Sequence, residues 1–217
     1  MPLIITFAHQ KGGVGKSTYA TNIRSFFALG GYKAALVDID PQGSLTKLTR
    51  AFASQAGREP EHVIERRSYE TDEELLAALS AYDIAVVDSP PYLSEDLVSF
   101  LPWTDLVVVP CKASPFDTLA IVDTLDLIRA EKKRRPKLKA AIFLTMTIAG
   151  TDFTAKIRKD LERTVEFPVL KTEIGNRVTY PRSLLYPHSV FGDPSRSAKV
   201  AQAEIENLGK EFISLLQ

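Results

Sequence analysis

The sequence predicts an α/β fold: a doubly wound, mostly parallel sheet flanked by helices. Three observations carry that reading. Short apolar runs recur along the 217 residues, with helical stretches between them. Each run is rich in Val, Ile and Leu without polar alternation, the pattern of strands buried on both faces. The composition, 45% apolar and 25% charged, is that of a globular chain and excludes fibre and disorder. The length fits one domain, 1–217.

Taken in order, strands are expected over Leu3–Ala8, Ala34–Ile39, Ile84–Asp88, Leu106–Pro110, Ala140–Thr147 and Val169–Ile174. Helices are expected over 16–29, closed by Gly30-Gly31, and over 43–52, 72–81, 94–100, 116–134, 152–165 and 196–216. In the last helix Val200, Ala203, Ile205, Leu208, Phe212 and Leu215 recur at helical spacing, as an expected core-facing stripe. The polar interval 54–74, with seven acids and two arginines inside 59–74, reads as an excursion between strands.

Charge and cysteine arithmetic narrow the function classes. Lys+Arg and Asp+Glu are each 27, a net charge of zero, which argues against nucleic-acid binding by bulk charge but permits a local patch. A single cysteine, Cys111, excludes an internal disulfide and a two-cysteine zinc knuckle. His62 and His188 are scattered without ligand spacing, so no zinc is expected, and His9, just before the loop after the first strand, reads as a strand-end histidine that could help shape that loop. The first nine residues have an apolar run but no basic lead or cleavage-like site, and read as a buried strand. No apolar stretch approaches the ~20 residues of a membrane span. A cytoplasmic protein without membrane contact is expected.

The first strand runs into Gln10-Lys11-Gly12-Gly13-Val14-Gly15-Lys16-Ser17-Thr18, and a helix follows. Glycines there let the backbone turn tightly and aim N–H groups at phosphate oxygens, while the helix start adds partial positive charge. Lys16 would reach the β/γ-phosphates, and the Ser17 hydroxyl would ligate Mg²⁺. Residues Lys11, Gly12, Gly13, Val14, Gly15, Lys16, Ser17 and Thr18 therefore form the expected ATP cradle. The usual phosphate loop would have Gly at position 10, where Gln10 stands, and a second lysine, Lys11, sits inside the loop. The third strand places four apolar residues before Asp88, the pattern of a carboxylate that holds a water on Mg²⁺.

Lys-Gly-Gly-Val-Gly-Lys-Ser resembles the deviant Walker A motif of the ParA/MinD family, and Asp38-x-Asp40-Pro-Gln-Gly resembles switch I of ParA proteins. Ser89-Pro90-Pro91 resembles the start of switch II. The run Cys111–Asp117, the spacing Thr172-x-Ile174-x-x-Arg177-x-x-Tyr180-x-x-Ser183, and Ser189-Val190-Phe191 resemble the small, ParF-like members of that family. The resemblance implies a P-loop ATPase that pairs around ATP and Mg²⁺, with Lys11 reaching the partner copy's phosphates. Asp40 would position or deprotonate the attacking water, Asp38 would support the magnesium shell, and Arg177 and Pro181 would line the base. It also implies weak hydrolysis until a ParB-like partner stimulates it, and segregation of a plasmid or chromosome over the nucleoid. Positioning of a protein cargo such as a chemoreceptor cluster, and a biosynthetic ligase on the same fold, are the alternatives.

Several relatives with this fold lack support here. One cysteine per chain does not hold the nitrogenase iron protein's cluster, and no Cys-x-x-Cys marks an iron–sulfur scaffold ATPase. Residues 204–217 carry three acids and one lysine, unlike MinD's basic membrane helix. The loop starts about ten residues in, which leaves no room for an N-terminal helix-turn-helix, so operator binding is not expected. Non-specific DNA binding has candidates instead. Residues 129–139 hold seven basic side chains and one acid. Lys156, Arg158, Lys159 and Arg163 share one helix, and Arg177 and Arg182 lie beyond it.

Overall fold

The computed structural model describes residues 1–55, 57, 63–92, 94–150 and 152–217. Among these, seven strands form one sheet: β1 (Leu3–Phe7), β2 (Ala34–Asp38), β3 (Val63–Glu65), β4 (Ile84–Asp88), β5 (Leu106–Lys112), β6 (Lys139–Thr147) and β7 (Val169–Gly175). Their order is β3-β2-β4-β1-β5-β6-β7. Every neighbouring pair is parallel, so the expected "mostly parallel" sheet is parallel throughout.

The helices are α1 (Lys16–Leu29), α2 (Ser44–Gln55), α3 (Asp72–Leu79), α4 (Glu95–Phe100), α5 (Pro115–Ala120), α6 (Val122–Arg134), α7 (Asp152–Thr164), α8 (Thr179–Ser183) and α9 (Ala198–Leu216). They cover both faces, which explains the unbroken apolar strands. Ile4, Val37, Val87, Val107 and Val109 point to the face packed by Leu75, Leu97, Leu125, Ile128 and Leu161. Ile5, Phe7, Leu36, Val86 and Val108 point to the other, under Ile23 and Phe27 of α1 and Ile205, Leu208 and Phe212 of α9. Neighbouring strand residues thus enter different cores, as the two-residue period requires. Side-chain caps start several helices: Thr71 accepts from the Glu74 N–H before α3, and Ser94 from the Leu97 N–H before α4.

Three expectations need correction. Strand β3 lies inside the polar interval read as an excursion. It is only three residues long and pairs at the sheet edge with β2, so it leaves no apolar run in the sequence. Residues 56 and 58–62 of that interval, His62 among them, lie outside the described residues. The helix expected over 116–134 is two helices that meet at buried Ile121, where the Ala120 carbonyl accepts from Gln10 Nε2 at 2.9 Å. On α9 the core stripe is Ala201, Ile205, Leu208 and Phe212, with Val200 and Ala203 turned to solvent. Gly209 belongs to that stripe because a Cβ there would stand 2.4 Å from the Phe26 ring, so α1 packs directly on its backbone.

This topology places the site. β1 lies between β4 and β5, and the chain crosses from β4 to β5 after filling one side of the sheet. The crevice beyond the C-terminal ends of these strands is where doubly wound folds bind ligands.

Candidate active site

The loop after β1 is held from beneath. Val14 is fully buried, and its carbonyl accepts from Thr145 Oγ1 at 3.4 Å. Gly13 and Gly15 have φ of 71° and 95°, in the left-handed region, and a Cβ on Gly15 would stand 2.3 Å from Tyr19 Cε2. Both features require glycine. Gln10, which replaces the usual glycine, uses its side chain as a strut: Nε2 donates to the Ala120 carbonyl and to Asp123 Oδ2 at 2.8 Å.

His9 lies just after β1 and braces the loop from within. It is fully buried, and its Nδ1 accepts the Lys11 N–H at 2.8 Å. Burial and then the Lys16 charge push its pKa down to about 4, so the ring is neutral and carries its proton on Nε2. Nε2 is buried without a hydrogen-bond partner among the described residues.

Both loop lysines are accounted for. Lys16 is buried and its Nζ donates to the Lys11 carbonyl at 3.0 Å; burial lowers its pKa, against the pull of Asp88 and Asp40. Lys11 points away from the loop, donating to the Phe116 carbonyl at 2.9 Å and meeting Asp117 Oδ1 at 3.4 Å. Neither Phe116 nor Asp117 was assigned this task from sequence, although both stand in the Cys111–Asp117 run that carries the family likeness.

Three carboxylates stand at the strand ends with different tasks. Asp88 is buried at the end of β4 with Oδ1 unpartnered among the described residues. Burial raises its pKa to about 7; a hydrogen bond with Ser17 opposes the rise, and the Asp38 charge adds to it. Asp38 is engaged elsewhere: Oδ2 accepts from the Thr46 N–H and hydroxyl at 3.0 and 2.9 Å, and Oδ1 from the Asp40 N–H at 3.1 Å. Asp38 thus helps to cap the first turn of α2, a task that stands beside its expected support of the magnesium shell. Asp40 accepts the Gln42 N–H at 2.9 Å and borders a cleft of about 260 Å³ with Gly12, Gly13, Gly15, Lys16, Ser17, Thr18 and Ser89.

A second cleft, about 360 Å³, shares Gly13, Gly15 and Thr18 with the first and is lined beyond them by Met146, Arg177, Tyr180 and Pro181. Met146 holds φ of 53° there, beside register shifts in the β6–β7 pairing. Arg177 and Pro181 thus line a cleft that adjoins the phosphate loop.

The basic side chains divide into two groups. Arg177 pairs with Glu204 at 2.7 Å, Arg182 with buried Asp193 at 2.7 Å, and Arg158 with Glu173 at 3.0 Å. Each of these three guanidiniums is thus paired with a carboxylate of its own chain, with which a DNA phosphate would compete. Lys156, Lys159 and Arg163 are exposed on α7. In 129–139, Arg129 pairs with Glu166, and Lys132 and Arg135 donate to backbone carbonyls, whereas Lys133, Arg134, Lys137 and Lys139 remain exposed. Lys133 and Lys139 rim a cleft of about 430 Å³ floored by Phe167, Pro168 and Leu215. Because β6 begins at Lys139, this cleft lies at the other end of the sheet from the phosphate loop.

The donor set fits a magnesium ion. Asp88 is hydrogen-bonded to the Ser17 side chain and keeps its buried Oδ1 unpartnered among the described residues. Among the described residues no cluster of three or more His, Cys, Asp or Glu side chains could form an all-protein cage. Magnesium commonly takes one or two protein ligands and completes its shell with phosphate and water. No helix among the described residues is long and apolar enough to cross a membrane.

Known proteins resemble this chain in sequence and fold. The chain is 32% identical over 212 residues to maintenance of carboxysome distribution protein A of Halothiobacillus neapolitanus, which covers 96% of this chain and 95% of that protein. Its fold matches cobyrinic acid a,c-diamide synthase from Mycobacterium smegmatis with bound ATP analog and magnesium, at TM-score 0.75, 20% identity, and 98% and 94% of the two chains. It also matches a putative plasmid partition protein from Borrelia burgdorferi bound to AMPPNP, at TM-score 0.70, 20% identity, and 97% and 100% of the two chains. Residues 5–190 match the CobQ/CobB/MinD/ParA nucleotide-binding domain, and the chain belongs to that family.

Proposed function

We propose that the chain is a ParA-type ATPase that pairs around ATP, holds DNA non-specifically while paired, and positions a cargo along it. One observation carries this reading. A single cleft joins the glycine loop and Lys16 to Asp40, and the additional lysine, Lys11, directly precedes Gly12 of that cleft with its side chain turned outward to Asp117 and 42% exposed. A second lysine beside the loop, turned away from its own cradle, suits a role toward a second copy's phosphates.

The chemistry follows from the residues. Loop N–H groups from Gly12 to Thr18 and the start of α1 receive the phosphates, and Lys16 turns from the Lys11 carbonyl to the β/γ-oxygens. Ser17 and Asp88 would hold magnesium, which when bound offsets phosphate charge. Asp40, tethered to the Gln42 N–H, orients the attacking water and takes its proton. Lys11 of each copy reaches the other's phosphates and places its positive charge where negative charge develops in the transition state. ATP therefore orders the segments bearing Asp40 and Asp88 in both copies, and hydrolysis releases them. Lys156, Lys159 and Arg163, with the exposed part of 129–139, supply the phosphate contacts to DNA.

The small-ParA likeness favours a plasmid or chromosome as cargo, held by a ParB-like partner that stimulates turnover, at the nucleoid in the cytoplasm. A second reading, a protein assembly as cargo, draws support from the near full-length likeness to a carboxysome distribution protein. The same fold also serves amide synthesis in cobyrinic acid a,c-diamide synthase. Sedimentation and ATP turnover of wild type and Lys11→Ala test the proposal. The variant should bind nucleotide as a monomer but lose the ATP-dependent dimer and, with it, turnover. Turnover that responds to a small acid or amine, and not to DNA with a partner protein, would favour the biosynthetic alternative.

A further inference from the structure

The residue that holds Lys11 in the single chain also bears on when two chains pair. Asp117 lies in the first turn of α5, fixed by Ser114, whose Oγ accepts the Asp117 N–H at 3.3 Å. Its carboxylate, 15% exposed, meets Lys11 Nζ at 3.4 Å, and the neighbouring Phe116 carbonyl accepts from the same nitrogen at 2.9 Å. His9 fixes the other end of this lysine by accepting its N–H. Lys11 is therefore held at both ends, with its charge matched inside its own chain.

We propose that Asp117 is a positioning residue: it parks Lys11 in cis and raises the ATP concentration needed to form the dimer. This rests on the reading that Lys11 acts across the dimer. To reach another copy's phosphates, Lys11 leaves both Asp117 and the Phe116 carbonyl. The same helix carries Phe116 and Leu119, exposed by 79% and 72%, so a second copy seated over the cleft covers α5 where the latch opens. The latch is shallow because its surroundings are half open to water. A half-exposed ion pair shifts an equilibrium by about two- to fivefold. Two latches open per dimer, so the dimer dissociation constant rises by about four- to twenty-fivefold through their presence. Such a contact delays pairing without preventing it.

The test uses the full chain, with Asp117→Asn and Asp117→Glu. Trace acetylation of the nucleotide-free protein by acetic anhydride, read by mass spectrometry, reports the reactivity of Lys11 against Lys112. Asp117→Asn should raise Lys11 labelling and leave Lys112 unchanged, while Asp117→Glu should stay close to wild type. With AMPPNP, Asp117→Asn should lower the dimer dissociation constant by about four- to twenty-fivefold, with ADP affinity of the monomer unchanged. Unchanged Lys11 labelling overturns the latch. Raised labelling with an unchanged or weaker dimer overturns its effect on pairing, as does an equal gain in monomer ADP affinity, which would mark a general charge effect. Failure of the underlying reading is distinct: Lys11→Ala would then form the AMPPNP dimer as wild type does, whatever the labelling shows.

Discussion

Asp38 and Asp88 are register partners on neighbouring parallel strands, yet one is fully hydrogen-bonded and the other keeps a buried oxygen without a partner. The difference lies in where the chain goes after each strand. After β2 it turns into α2, whose Thr46 N–H and hydroxyl both close on Asp38. After β4 it runs into Ser89-Pro90-Pro91, and the Ser89 hydroxyl donates to the Phe7 carbonyl instead, at 2.8 Å. Asp88 is thereby left facing Ser17, and Asp38 becomes the neighbour whose charge opposes its ionisation.

Asp88 and His9 should give the nucleotide-free protein opposing pH slopes. Between about pH 4 and 7 the folded chain keeps the Asp88 proton that the unfolded chain releases, so this group makes stability fall as pH rises, by about 3–4 kcal/mol in all. His9, held down to about 4, does the reverse: the unfolded ring protonates first as pH falls below about 6.5, and about 3 kcal/mol is lost by pH 4. Urea midpoints across this range should show Asp88→Asn relatively more stable at pH 8 and His9→Gln relatively more stable at pH 4.5. Curves parallel to wild type would contradict both assignments.

Gly15→Ala should cost roughly 2–4 kcal/mol, because the new Cβ meets the Tyr19 ring at a left-handed φ. Nucleotide affinity should fall more than thermal stability does, since relief of the clash moves the loop N–H groups. Calorimetric titration with ADP beside a thermal melt checks this.

Asp40→Ala should bind ATP and pair, but hydrolyse it about 10²–10⁴-fold more slowly, the usual range for loss of a general base. Single-turnover measurement with radiolabelled ATP reads the step directly. Turnover at the wild-type rate would assign the water to another residue.

The two groups of basic residues should separate cleanly. Lys156→Ala, Lys159→Ala and Arg163→Ala together should flatten the salt dependence of DNA binding by about two to three charges per chain while leaving the melt unchanged. Arg182→Ala should instead destabilise the fold by about 2–4 kcal/mol, because it leaves fully buried Asp193 without its counter-ion. Binding isotherms against salt and thermal melts check the pair of outcomes.

The sheet was legible in the sequence because both its faces are covered: unbroken Val/Ile/Leu runs mark such strands, and six of them stand where the pattern put them. Strand β3 was not, since three half-covered residues at an edge carry no pattern. The phosphate loop was legible because glycine spacing and a lysine state their chemistry locally. Partners contributed by distant segments were not. Glu204, which takes Arg177, lies 27 residues away and reads as one acid on a helix surface. Asp117 lies 106 residues from Lys11. Val200 on α9 shows the same limit at short range, because apolar spacing alone did not reveal which of two adjoining stripes meets the sheet.

The most direct test of the account is retention of the purified chain on non-specific DNA across a salt series, with ATP, ADP or no nucleotide. Retention should require ATP, fall steeply with salt, and be lost in Lys11→Ala. Equal retention in all three nucleotide states, or none in any, would contradict an ATP-governed DNA switch.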